Sequence, residues 1–209
     1  MARYIDAVCR KCRRIGEKLF LKGERCYGPK CGVERRKSPP GSQSARRRRP
    51  SDWAVQLQEK QKARFTYGVL ERQFRKYFES AREKPGVTGD ELLSILERRL
   101  DNVVYRLCFA DSRNQSRQLV NHGHFSVNGG KVDVPSYQVK PGDVVKWRRV
   151  NGSIPQFITE LTQDIPKRPV PNWLKLDQKD LTGEVVGAPD TSEVDSGLDL
   201  RLIVEFYSK

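Results

Sequence analysis

Three observations on this sequence predict an α+β fold. Two cysteine pairs lie close together near the start, capped stretches with helical apolar spacing follow, and Asn128-Gly129-Gly130 stands between two short strand-like segments. They divide the chain into a basic four-cysteine metal knuckle with an Arg-rich linker (1–50) and a helical domain (51–96, with 196–209 packing back on it). A small helix–hairpin domain (97–160) and an extension (161–195) complete it.

The chain has 209 residues, enough to bury a real core. Its 40 Lys and Arg against 26 Asp and Glu give a net charge of +14, unevenly spread. Residues 1–50 hold 16 basic and 4 acidic side chains, residues 51–150 hold 18 and 12, and residues 151–209 hold 6 and 10. Like charges packed at one end repel one another unless a polyanion relieves them. No apolar run reaches the ~18–20 residues of a membrane span, and the basic stretch has no amphipathic apolar face. Five cysteines, an odd number with four in one short stretch, argue against a secreted disulfide framework. The reading is a soluble intracellular protein whose partner is nucleic acid.

Cys9-x-x-Cys12 and Cys26-x-x-x-x-Cys31 are two thiol pairs, each closing a short loop, the usual geometry of a structural zinc site. A four-iron–four-sulfur cluster satisfies the same spacing, so both cofactors stay open. The segment has few large apolar residues, so metal would substitute for a core. Arg35-Arg36-Lys37, a Pro/Gly/Ser linker and Arg46-Arg47-Arg48-Arg49 follow, and their guanidinium forks suit phosphate.

Ser51 and Asp52 open a helix expected to run to Tyr67 and stop at Gly68. Phe74, Tyr77, Phe78 and Ala81 mark one buried face of a second helix. Thr88 and Glu91 form a capping box for a third, whose apolar side continues through Leu107, with Arg98, Arg99, Asn102 and Arg106 opposite. Ser112 and Gln115 cap a short helix ending at Gly123. Arg113 and Arg117 lie on one of its faces, and His122 and His124 stand at its end, a helix terminus and hairpin edge offered to phosphates. Cys108, in an apolar stretch, reads as a small core residue. Trp173-Leu174-x-Leu176 reads as a docked strand, and Leu200, Leu202, Val204 and Phe206 alternate as a strand would. Pro155, Pro166, Pro169 and Pro171 preclude a long helix between them.

The stretches Arg99-Leu100-Asp101-Asn102-Val103-Val104-Tyr105-Arg106-Leu107, Ser112-Arg113, Arg117 to His124, Val127-Asn128-Gly129 and Val139-Lys140-Pro141-Gly142-Asp143 resemble the RNA-binding domain named after small-subunit ribosomal protein four. The Arg3-Tyr4 start, the four cysteines, Lys22 to Cys26, Arg49 to Asp52, Glu59 to Lys62, Glu71 to Arg75, Gly86 to Gly89 and Leu202 to Ser208 resemble the bacterial form of that ribosomal protein family itself. The family often has His-Gly where Ser42-Gln43-Ser44 follow Gly41, and Ser-Arg-Arg where this chain has Ser112-Arg113-Asn114. Residues 148–195 match least.

The resemblance implies a non-catalytic, early-binding assembly protein, cytoplasmic and within the ribosome, gripping a multi-helix junction of small-subunit (16S) rRNA. It implies contact with ribosomal protein five of the small subunit, a place beside the path by which mRNA enters, an influence on translational accuracy, and repression of its own mRNA. Candidate metal ligands are Cys9, Cys12, Cys26 and Cys31. Candidate RNA-binding residues are Arg3, Arg13, Arg14, Lys22, Arg35, Arg36, Arg46, Arg47, Arg48, Arg49, Lys60, Lys62, Arg72, Arg113, Arg117, His122 and His124. Arg99-Leu100-Asp101 echoes the catalytic stretch of pseudouridine synthases, but no glycine precedes it and no length remains for a catalytic domain. A zinc-dependent DNA-binding regulator would need a helix-turn-helix or a finger repeat, and neither follows the cysteines.

Overall fold

The computed structural model describes residues 4, 6–42, 49–148, 165, 168–191, 194 and 197–208. Two compact units emerge: unit one comprises Met1–Glu91 and Ser196–Lys209, unit two Leu92–Asp195. Among the described residues no helix is long and apolar enough to cross a membrane.

Unit one begins with α1 (Cys9–Ile15), a 3-10 turn (Gly23–Cys26) and the single-turn α2 (Gly32–Arg35). Cys12, Ile15, Leu19 and Leu21 form a small apolar cluster, with Val8, Val33 and Phe65 against it. Helix α3 (Asp52–Thr66) starts where Ser51 accepts a hydrogen bond from the Ala54 N–H at 3.3 Å, as the sequence predicts. It ends one residue before the expected Tyr67, with Gly68 in the left-handed region that terminates helices. Helix α4 (Glu71–Arg82) buries Phe74, Tyr77, Phe78 and Ala81, the face read from the spacing.

The segment expected to be a terminal strand is instead α8 (Leu200–Tyr207), packed on α3. Its alternation also fits a helix: Leu200, Ile203 and Tyr207 recur at three and four residues, and Ile203 is fully buried. Asp199 decides between the two readings, since its carboxylate accepts from the Arg201 and Leu202 N–H groups at 3.0 and 3.4 Å and caps the helix. Tyr207 stacks on Phe78 with ring centroids 4.7 Å apart and donates its hydroxyl to Glu71 Oε1 at 2.9 Å.

The third helix is broken in two. Helix α5 (Thr88–Glu97), whose first residues belong to unit one, gives way to α6 (Leu100–Arg106) at an extended Arg99. The break is held by backbone bonds, Leu100 N–H to the Tyr137 carbonyl at 2.8 Å and Val139 N–H to the Arg98 carbonyl at 2.9 Å. Side chains read as lying opposite the apolar side, Arg99, Asn102 and Arg106, are therefore drawn inward. Arg99, Asn102 and Glu97 are buried, and Arg106 ties to Glu97 with two bonds of 2.9 and 2.7 Å.

Unit two continues through α7 (Arg113–Asn121) to a five-stranded antiparallel sheet ordered β2-β1-β3-β5-β4. The strands are β1 (Phe125–Val127), β2 (Gly130–Lys131), β3 (Val144–Trp147), β4 (Leu174–Asp177) and β5 (Thr182–Val185). Asn128 and Gly129 both have positive φ, the primed turn that an Asn-Gly hairpin adopts. Asp143 fixes the neighbouring turn by accepting from Asn128 Nδ2 and the Lys140 N–H, each at 2.8 Å. β4 and β5 come from the expected extension, β4 is the docked strand read at Leu174 and Leu176, and β5 pairs with β3, so that stretch completes the sheet. Gly183 makes this possible: a Cβ there would lie no farther than 3.0 Å from three atoms of the Leu107 side chain. Of the helix-breaking prolines, Pro155 and Pro166 lie outside the described residues. Cys108 is buried, as expected of a small core residue, and adopts a φ of +62°.

Candidate nucleic-acid interface

The first basic surface lies on unit one. An open groove of about 690 Å³ is lined by Arg10, Arg13, Lys22, Arg25, Lys30, Arg35 and Arg36, with no acidic side chain lining it among the described residues. Helix α1 supplies Arg10 and Arg13, the 3-10 turn and its flanks supply Lys22, Arg25 and Lys30, and α2 with its end supplies Arg35 and Arg36. Arg13 also shapes the groove's edge, donating to the Ser38 carbonyl at 2.9 Å and the Pro39 carbonyl at 3.3 Å. Sequence reading singled out Arg13, Lys22, Arg35 and Arg36, and the fold gathers these four. Arg10, Arg25 and Lys30 were missed, although their nearness to the cysteine loops was the available signal.

The four cysteines form no disulfide and line one small pocket together with Phe20 and Val33. The Lys22 N–H donates to Cys26 Sγ at 3.3 Å. Burial pushes the Cys12 and Cys26 thiols up, and the neighbouring cysteines push in the same direction. Among the described residues, no group of three or more His, Cys, Asp or Glu side chains is placed to hold a metal ion. The expected metal knuckle is thus represented here by the four cysteines brought together around one pocket.

Two of the expected RNA contacts are turned inward. Lys60 is buried and donates to both oxygens of Glu71 at 2.8 Å, with its ammonium 4.9 Å from the Phe206 ring centroid. Lys62 is buried too, paired with Glu17 at 2.6 Å and donating to the Gly197 carbonyl at 2.5 Å. Both serve the packing of α3, and this placement counts against a phosphate role. Arg14, Arg49 and Arg72 are exposed, whereas Arg3, Arg46, Arg47 and Arg48 lie outside the described residues.

On unit two, the Ser112 hydroxyl accepts from the Gln115 N–H at 3.3 Å, and Gln115 Oε1 accepts in turn from the Asp111 N–H at 2.8 Å. The helix end is thus capped as its sequence predicts. Arg113 and Arg117 do share a face, but both are engaged by α6. Arg113 Nε donates to Asn102 Oδ1 at 2.8 Å and its guanidinium lies 4.4 Å from the Tyr105 ring centroid. Arg117 pairs with Asp101 at 3.0 Å. Beyond the helix, the His122 and His124 rings lie 6.1 Å apart. Burial, then the nearby His122, holds the His124 imidazole below its ordinary value, so it is mainly neutral near pH 7.

The hairpin carries a second basic surface that the sequence reading did not find. Ser126 faces Lys131 on β2 and Lys146 on β3, so the two lysines flank it on one side of the sheet. With Gly129, Trp147 and Arg148 they line an open trough of about 520 Å³. Strand register alone brings these cations together, and register became readable only once β1, β2 and β3 were paired.

Capped helix, tight hairpin and cationic troughs give the chain surfaces suited to a polyanion. Family comparisons agree: residues 3–97 match the ribosomal protein S4/S9 N-terminal domain, and residues 98–145 match the S4 domain. Small ribosomal subunit protein uS4 of Syntrophomonas wolfei is 51% identical over the full length of both chains. The proteins named uS4A in Alkaliphilus metalliredigens and uS4 in Thermus thermophilus are 54% and 52% identical, again with full coverage of both chains. The chain belongs to the family of small ribosomal subunit protein uS4. That family is one of ribosomal components, not of enzymes.

Proposed function

We propose that this protein is a structural component of the small ribosomal subunit in the cytoplasm, gripping a helix junction of its 16S rRNA early in assembly. The observation that carries the reading is the groove on unit one, whose described lining has seven cations and no acidic side chain. Its mechanism is electrostatic: Lys and Arg contacts displace counterions from the phosphates, and the rigid placement of the groove reads the shape of folded RNA. The row Lys131, Ser126 and Lys146 gives unit two its own phosphate contacts. Family membership supports proximity to ribosomal protein five of the small subunit and to entering mRNA, with an influence on accuracy and on translation of its own message. The spacing of the cysteines and their shared pocket support zinc, or alternatively an iron–sulfur cluster, held by Cys9, Cys12, Cys26 and Cys31.

Competitive filter binding of the full chain to small-subunit rRNA, tRNA and duplex DNA across a salt series tests the reading. A preference for the rRNA that survives physiological salt is the expected result. Equal and steeply salt-dependent binding to all three would reduce the groove to a merely basic surface and reject it.

A further inference from the structure

We propose that Phe20 and Tyr27 form a stacking platform for an unpaired base of bound RNA. The proposal rests on the RNA-binding reading above and adds what that surface selects: single-stranded nucleotides beside the phosphates.

The two rings lie 4.9 Å apart, inclined by 31°, between α1 and the single-turn helix α2. Leu19 and Leu21, on either side of Phe20, are buried in the apolar cluster, while Phe20 itself is 37% and Tyr27 60% exposed. Phe20 has a φ of +48°, a region that bulky side chains rarely enter and glycine enters without strain. A position needed only for the turn would favour glycine, and one needed only for packing would bury its ring. An unfavourable backbone that holds an aromatic ring partly in solvent is what presentation to a ligand requires.

The charge beside the rings identifies the ligand. Arg25 lines both the small pocket that Phe20 lines and the groove of seven cations, so the aromatic pair adjoins the phosphate-binding surface. A base stacked on an aromatic face with its backbone along a cationic groove is the arrangement by which single strands are held. A duplex, with its bases already stacked, offers no free face to these rings.

The test uses the full chain and the variants Phe20→Leu and Tyr27→Leu, which keep apolar bulk and remove the π face. The probes are an unpaired adenine-rich oligoribonucleotide carrying one fluorescent purine analogue and an RNA duplex of equal length. Each variant should bind the oligoribonucleotide about five- to one-hundredfold more weakly, with the duplex affinity and the salt slope unchanged. The analogue's fluorescence should be quenched by the natural protein and by Tyr27→Phe, but not by Tyr27→Leu. Unchanged affinity and quenching in both leucine variants would overturn the platform. A natural protein that binds neither RNA above background would overturn the RNA-binding reading itself, a separately readable failure. If Phe20→Leu melts early, the exposed Tyr27 decides alone.

Discussion

Asp101 is the keystone of a buried ionic network in unit two, and its removal gives the sharpest energetic test. Its carboxylate accepts from Arg99 Nε at 3.0 Å, from Arg99 Nη2 at 2.6 Å and from Arg117 Nη1 at 3.0 Å, while its backbone carbonyl accepts from the Ser116 hydroxyl. Arg99 and Asp101 have side chains only 2% and 5% exposed. Asp101→Ala removes the charge opposite a guanidinium that has almost no access to water. Breaking a buried pair in this way costs about 3–5 kcal/mol, a large share of the ~5–15 kcal/mol that stabilises a domain. Arg117, with a side chain 15% exposed, can turn partly to solvent, which favours the lower half of that range. Urea unfolding followed by tryptophan fluorescence reports on the right unit, because Trp147 and Trp173 are buried in its core and Trp53 is exposed. The double variant Arg99→Met with Asp101→Leu replaces both charges by apolar groups and should recover most of the loss. A shift below about 1 kcal/mol for the single variant, or equal losses for single and double variants, would refute the reasoning.

Gly183→Ala should destabilise unit two by about 1–3 kcal/mol through overpacking against Leu107, and a thermal melt near that of the natural protein would show that the sheet yields freely. Burial and its bond to Glu71 raise the Tyr207 phenol above its ordinary value of 10.0. A raised folded-state value contributes stability that is complete below the unfolded phenol's value and lost as pH climbs through the folded one. Unit one should therefore weaken above about pH 10, and Tyr207→Phe should flatten that alkaline limb in a pH series of melts. Burial opposes ionisation of Glu71, but bonds from Lys60 and Tyr207 and the nearby cations hold its carboxyl low. Its contribution should be present above the ordinary carboxylate range and fade as pH falls through the lowered value, an acid limb that Glu71→Gln should remove. Replacing Cys9 and Cys12 with Ser should abolish zinc uptake measured by elemental analysis. Unchanged metal content in that variant would refute the ligand set.

Local chemistry made part of this fold legible. The Ser51 and Ser112 caps, the apolar face of α4 and the Asn128-Gly129 turn depend on residues adjacent in sequence, and each stands where its pattern put it. The break between α5 and α6 was invisible because Arg98 and Arg99 are good helix formers, and only the distant Tyr137 to Val139 strip pulls the backbone open. The pairing of β5 with β3 joins residues about forty apart, which no local window contains. At the candidate site the cations Arg13, Lys22, Arg35 and Arg36 could be named because the groove is built from short segments around the cysteines. Lys60 and Lys62 look the same in sequence, and their burial follows from where α8 and Glu17 come to rest. Lys131 and Lys146 became neighbours only through strand register.

The docking of α8 on α3 also sets an order of events during synthesis. Gln56 reaches Glu205 across 149 positions, and Tyr207 reaches Glu71 across 136. In chain order α8 follows every residue of unit two, so the earlier-encoded unit cannot gain its partner helix until all of unit two has been made. Until then the apolar sides of α3 and α4 that receive Ile203 and Tyr207 remain open to solvent or to a chaperone. Truncation before Asp199 should therefore leave unit one, not unit two, as the species that aggregates.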